Sequence, residues 1–204
     1  MANILKPKIS VSGSAANNCG AGAFKKSYET GAEIAKQGGV LVSGATIGIP
    51  EWATRGTKKF GGMSIGLSPA SSRQEHVRKY HLPTANMDVI IYTGSGYSGR
   101  NLQMIRASDA VIEICGRIGT LNEFTVAFED HKPIGVLLGT GGASDEISKI
   151  LEIAKRGKKN IFYDTEPKRL VARLIKEVKR RDKALTAAEK VINKKRIVSN
   201  IDES

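Results

Sequence analysis

The residues best placed to do chemistry in this chain of 204 residues follow its β-branched runs, in four glycine-bearing segments. They read Ser12-Gly13-Ser14-Ala15, Ser43-Gly44-Ala45-Thr46-Ile47-Gly48, Thr93-Gly94-Ser95-Gly96-Tyr97-Ser98-Gly99-Arg100 and Cys115-Gly116-Arg117-Ile118-Gly119-Thr120. Glycine lets the backbone approach a phosphate closely, and a helix starting there adds free N–H groups and the positive end of its dipole. Any one such loop is explained equally well by a tight turn. Four on one edge point to a phosphorylated small-molecule ligand, with Gly13, Ser14, Gly44, Gly48, Gly116, Arg117, Ile118, Gly119 and Thr120 as the candidate contacts.

Other chemistries lose support from the same stretches. There is no G-x-x-x-x-G-K-[ST] run, and the first strand is followed by Gly-Ser-Ala-Ala-Asn-Asn-Cys-Gly-Ala-Gly rather than a clean G-x-G-x-x-G, which counts against ATP hydrolysis and ordinary nicotinamide chemistry. Ser14 and Ser98 have no evident His/Asp constellation, so a serine nucleophile is not expected. His76, His81 and His131 are scattered without ligand spacing, and are expected to be solvated or structural. Cys19 and Cys115 are far apart without histidine or cysteine partners; both are expected as reduced thiols, and no metal or cofactor is expected. Thr120-x-x-Glu123 reads by itself as a capping box.

The elements that must position these loops alternate in type. Strand patterns occur at 8–12, 40–43, 63–67, 89–92, 110–114, 134–138 and 160–163, and helical stretches at about 23–37, 50–60, 99–107, 121–130, 145–156 and 167–181. That alternation predicts an α/β fold, a doubly wound and mostly parallel sheet of about seven strands with helices on both faces. Pro50-Glu51 suits the first turn of a helix and Gly61-Gly62 its end. Thr165 before Pro167 marks another start. Asp109 is expected to serve structurally at the start of the fifth strand, Arg106 in an ion pair or as a second ligand contact, and Glu113, a charge within that strand, at a helix edge or a partner protomer. Trp52 follows the second glycine loop, where it would wall a pocket or enter a core or interface.

The net charge of +12 is unevenly spread. Residues 1–154 hold 16 basic against 13 acidic residues, whereas 155–196 hold 16 against 5. The reading is therefore one domain over 1–181, followed at 182–204 by a basic tail, either a marginal helix or frayed and mobile, with at most weak, salt-sensitive affinity for nucleic acid. No apolar run approaches the roughly 18 residues needed to cross a bilayer, and the opening MANILKPKIS lacks the apolar segment of a secretory signal. A cytoplasmic protein with no membrane partner is expected.

The segment from Gly99 to Glu123 resembles the paired motif of the "lonely guy" (LOG) phosphoribohydrolases, an arginine-lysine pair before a Ser-Asp-Ala strand and then P-G-G-x-G-T-x-x-E. Ser43–Glu51 resembles that family's G-G-G-x-x-G-L-M-G loop, and Gly61-Gly62 through Pro69 the strand after it; the likeness spans about 8–167. It implies a Rossmann-like fold, a homodimer and a nucleotide-like ligand. It also implies catalytic roles for Arg100 and Glu123 in hydrolysing the N-glycosidic bond of a nucleoside 5′-monophosphate to free base and ribose 5-phosphate. Asn101 replaces the family lysine, Cys115 its proline, Arg117 its second glycine, and Ser43-Gly44-Ala45 the triple glycine. These departures bring the chain nearer to the molybdenum-cofactor-carrier-like branch. They open the alternative of a non-catalytic carrier or sensor of a nucleotide or molybdopterin-type cofactor.

Overall fold

The computed structural model describes residues 5–16 and 19–202, with side chains through residue 185. The chain order is β1 (Lys8–Gly13), α1 (Ala21–Lys36), β2 (Val40–Ser43), α2 (Ile49–Lys59), β3 (Met63–Ser68), α3 (Arg73–Arg78), β4 (Val89–Tyr92), α4 (Gly96–Ala107), β5 (Ala110–Ile114), α5 (Ile118–Glu129), β6 (Ile134–Leu137), α6 (Ala143–Ile153), β7 (Ile161–Asp164) and α7 (Pro167–Asp202). The strands form one sheet in the order β4-β3-β2-β1-β5-β6-β7 with every pairing parallel. This is the Rossmann-like, doubly wound α/β architecture that the alternating pattern predicts.

The central strands are covered on both faces, which is why β2 and β6 read as almost unbroken apolar runs. Ile9, Val11, Ile112 and Ile114 pack with α1, α2 and α7 on one side. Val111 and Val136 pack with Met104 and Ile105 of α4, Phe124 and Ala127 of α5, and Ile147 of α6 on the other. At the edge, β4 leaves Val89 and Ile91 exposed. Helices α1 and α2 approach unusually closely: a Cβ on Gly31 would lie 1.9 Å from the Ala53 carbonyl oxygen, and one on Gly56 1.9 Å from that of Tyr28. The Thr57 hydroxyl donates across the contact to the Gly31 carbonyl at 3.0 Å.

Helix ends follow local chemistry. After α2, the Gly61 N–H donates to Lys58 O and the Gly62 N–H to Thr57 O, the paired bonds of a Schellman stop with Gly61 at φ +69°. Helix α7 starts at Pro167 as expected; Asp164 accepts the Glu166 N–H at 2.9 Å and pairs with Arg169 at 2.6 Å. The short α3 has no counterpart among the sequence expectations, although Ser72 caps it by accepting the Glu75 N–H. Helix α7 runs on to Asp202, through the point where the sequence reading places the start of a tail; side chains from residue 186 onward lie outside the described residues.

One expectation is overturned. Cys19 and Cys115 are not reduced thiols but a disulfide, with Cα atoms 6.3 Å apart across 96 positions of sequence. The reason is topological: β1 and β5 are sheet neighbours, so the loops that leave their carboxyl ends meet. Among the described residues, no helix is long and apolar enough to cross a membrane.

Candidate functional site

The winding reverses between β1 and β5. The chain steps outward from β1 to β4, then returns to place β5 on the other side of β1. The helices that follow the two strands lie on opposite faces of the sheet, α1 with α2 and α7 and α5 with α4 and α6, so a crevice opens at the strands' carboxyl ends. A cleft of about 380 Å³ lies there, a volume suited to a small ligand.

Its floor is a buried ion pair. Arg100, in the second turn of α4, and Glu123, in the second turn of α5, are only 5% and 6% exposed, and Arg100 Nη1 lies 3.9 Å from Glu123 Oε1. Gly44 provides the seat for the guanidinium, because a Cβ there would fall 1.7 Å from Nη1. The other carboxylate oxygen, Oε2, accepts a short hydrogen bond from the Ser12 hydroxyl at the end of β1. Turned so that its nitrogen meets acceptors, the Asn101 amide donates to Glu123 Oε1 at 2.8 Å and to the Tyr97 carbonyl at 3.1 Å. Arg100 is less well served. Its Nε has no partner, and Nη1 otherwise meets only the sulfur of Met104, at 3.7 Å. Buried donors left open in this way are what an anionic ligand would complete.

Burial pushes the Glu123 carboxyl above the ordinary carboxylate range, while Arg100 and the Ser12 hydrogen bond pull it back. Burial also draws Arg100 down from its usual value, opposed by Glu123 and Tyr97. An arginine starts so high that it remains a cation. The site is thus a fixed positive charge beside a carboxyl whose charge depends on pH.

Helix α5 begins at Ile118 with Arg117 at its N-cap and no side-chain cap. Thr120 and Glu123 therefore do not close the capping box that their spacing resembles; Glu123 is inside the helix, turned to the cleft. Arg100, Glu123, Gly13, Ser14, Gly44, Arg117, Gly119 and Thr120 line the cleft. Gly48, Gly116 and Ile118 are not among its lining residues. Gly48, at φ +78°, turns the β2–α2 loop so that the Ile49 N–H reaches Ser14 O at 3.0 Å. Gly116, at φ +101°, makes the exit from β5, and Ile118 is 80% exposed.

Ser12, Thr46, Tyr97 and Asn101 add further polar groups to the lining. Only their membership of the glycine loops, or adjacency to Arg100, hints at this in sequence. Trp52 lies outside the cleft, beside Phe24 at 5.9 Å between ring centroids. Arg106 pairs with Asp130 at 3.1 Å, and Asp109 ties β5 to β1 by accepting from the Lys8 N–H at 2.7 Å and from its ammonium. Glu113 departs from the expectation of a partner-protomer contact: it is wholly buried in the sheet, near Glu123 of α5.

The family model described as the SLOG cluster4 family matches residues 6–171. An uncharacterized protein of Archaeoglobus fulgidus is 30% identical over 122 residues, 60% of this chain and 75% of that one. Among solved structures, that of TM1055 matches with a TM-score of 0.72 at 24% identity, covering 84% of this chain and 99% of the other. The molybdenum cofactor binding protein of the phototrophic bacterium Rippkaea orientalis matches with a TM-score of 0.70 at 28% identity, covering 86% and 98%.

Proposed function

The chain belongs to the SLOG cluster4 family, and from that premise we propose that its β1/β5 cleft binds a nucleoside 5′-monophosphate and hydrolyses the N-glycosidic bond. The observation that carries this reading is the buried Arg100–Glu123 pair on the lining of a ligand-sized cleft, with the Arg100 Nε lacking a hydrogen-bond partner. The 5′-phosphate would rest on the first turn of α5, where the leading N–H groups have no intrahelical acceptor and Arg117 adds a cation. Arg100 would hold the ligand through its forked donors. Tyr97, half-exposed at the cleft, offers a ring for the base to lie against.

Cleavage develops positive charge on the ribose as the base departs. Glu123, ionised and held by Ser12 and Asn101, would stabilise that charge and orient the attacking water, taking its proton as the C1′–O bond forms, while the base leaves with the C1′–N electron pair and takes up a proton from solvent. The products are free base and ribose 5-phosphate. The homodimer implied by the LOG resemblance belongs to this reading, as does a cytoplasmic setting.

A second reading has its own support. The Rippkaea orientalis protein is a molybdenum cofactor binding protein at 28% identity, and the same cleft would suit a phosphorylated pterin as cargo, carried or sensed without chemistry. One assay separates the two: incubation with a panel of nucleoside 5′-monophosphates, quantifying base and ribose 5-phosphate, with Glu123→Gln alongside. Hydrolysis predicts release by the wild type, reduced about 10²-fold or more in the variant. No release from any monophosphate, together with clear thermal stabilisation by a ligand, would replace it with the carrier reading.

A further inference from the structure

Glu113 is the one acidic residue in the middle of the sheet. It is fully buried on β5, and neither carboxyl oxygen has a hydrogen-bond partner. Val111 and Val136 flank it on the same face of the sheet, beneath α5 and α6. An ionised carboxylate there would be uncompensated, at a cost that buried groups avoid by taking up a proton.

Its neighbour on β1 is Ser12. The two are directly opposite in the parallel register, on strands about 4.8 Å apart, so their side chains share a face. Ser12 has a single hydroxyl proton, and that proton goes to Glu123 Oε2. The serine oxygen can still accept. A protonated Glu113 supplies the missing donor, and this arrangement also gives the orphaned carboxyl a partner. The ionisable groups facing Glu113 are Glu123 from α5 and, beyond it, Arg100 from α4; β6 presents Val136 and α6 presents Ile147.

We propose that Glu113 is a neutral carboxylic acid and the positioning residue for Glu123, donating to Ser12 Oγ so that the serine is committed to donating to Glu123 and holding it toward the cleft. The chain of donors runs in one direction, Glu113 to Ser12 to Glu123, and ends on the carboxylate at the ligand. Burial pushes the Glu113 carboxyl well above its ordinary range and the nearby Glu123 pushes it further, with the adjacent Ser12 hydroxyl pulling the other way. A carboxyl kept neutral so that it can donate is a recognised use of an apolar site. The proposal rests on Glu123 being the carboxylate that faces the ligand, not on hydrolysis taking place.

The test therefore reads protonation rather than turnover. Infrared spectra of protein labelled with ¹³C at the glutamate side-chain carboxyl should show a protonated-acid carbonyl band at neutral pH. It should vanish in Glu113→Gln and persist in Glu123→Gln. The titration of Glu123, followed by carboxyl ¹³C NMR, supplies the positioning readout. Glu113→Gln keeps a donor for Ser12 and should leave the Glu123 midpoint in place, whereas Glu113→Val removes the donor and should move it up. No acid band in the wild type, or a band lost only in Glu123→Gln, would overturn the proposal. So would a fall of the Glu123 midpoint in Glu113→Gln, which would mean that Glu113 is anionic, or identical midpoints in the Gln and Val variants. Nucleotide release is read separately, so a protein that carries its ligand without cleaving it leaves this experiment intact.

Discussion

Alanine at position 44 would place a methyl group 1.7 Å from Arg100 Nη1, so the guanidinium must leave its seat beside Glu123. Misplacing a catalytic group by about an ångström is worth on the order of 10²-fold in rate. Gly44→Ala is expected to lose about that much turnover, or a comparable factor in ligand affinity, with an unchanged circular dichroism spectrum. The two buried carboxyls also set a pH dependence. Glu113 and Glu123 both titrate higher in the folded protein than their ordinary 4.5. Above that pH the folded state binds more protons than the unfolded one, and their contribution to stability declines as pH rises through the folded midpoints. Urea midpoints measured against pH should show this decline in the wild type and a flatter profile in Glu113→Gln. On the proposed hydrolase reading, turnover runs the other way, rising with pH as Glu123 loses its proton. A residue-by-residue sequence reading reached Arg100 and Glu123 through a motif likeness. It could not see what Gly44 is for, because the atom that requires glycine there lies 56 positions away.

At the scale of elements, the tightest joint is between α1 and α2, where Gly31 and Gly56 let two backbones meet. Gly56→Ala would drive a Cβ to 1.9 Å from the Tyr28 carbonyl oxygen, and backbone cannot swing aside as a side chain can. Helix propensity favours the alanine by up to about 1 kcal/mol, but overpacking costs about 1–3 kcal/mol or more, so the variant should be less stable in urea denaturation. Because α2 begins at the loop that seats Arg100, ligand affinity should fall with it. The strands were legible because burial on both faces demands apolar, β-branched runs, and their ends agree with the sequence pattern to within one residue. Helix starts were less so. Helix α5 opens at Ile118 without a side-chain cap, leaving Thr120-x-x-Glu123 to imitate a start three residues inside the segment.

At the scale of the whole molecule, the Cys19–Cys115 bridge joins the loops of the two strands that frame the cleft. Closing a loop of this length constrains the unfolded chain, and disulfides contribute typically about 2–4 kcal/mol. Reductant should lower the urea midpoint of the wild type by an equivalent amount and leave that of Cys19→Ser unchanged, which a denaturation series with and without dithiothreitol would measure. The bridge, the cleft and the Glu113–Ser12 neighbourhood share one origin, the return of the chain to lay β5 against β1. Local pattern determined the alternation of strand and helix, the placing of glycine loops after strands, and the concentration of basic residues beyond position 154, because hydrophobic period, turn chemistry and charge are written in neighbouring residues. The tertiary structure alone decided which loops meet, that two distant cysteines pair, and that a glutamate inside an apolar strand lies behind the carboxylate of the site. Those facts depend on strand order, and strand order is set by long crossovers whose packing no short stretch of sequence contains.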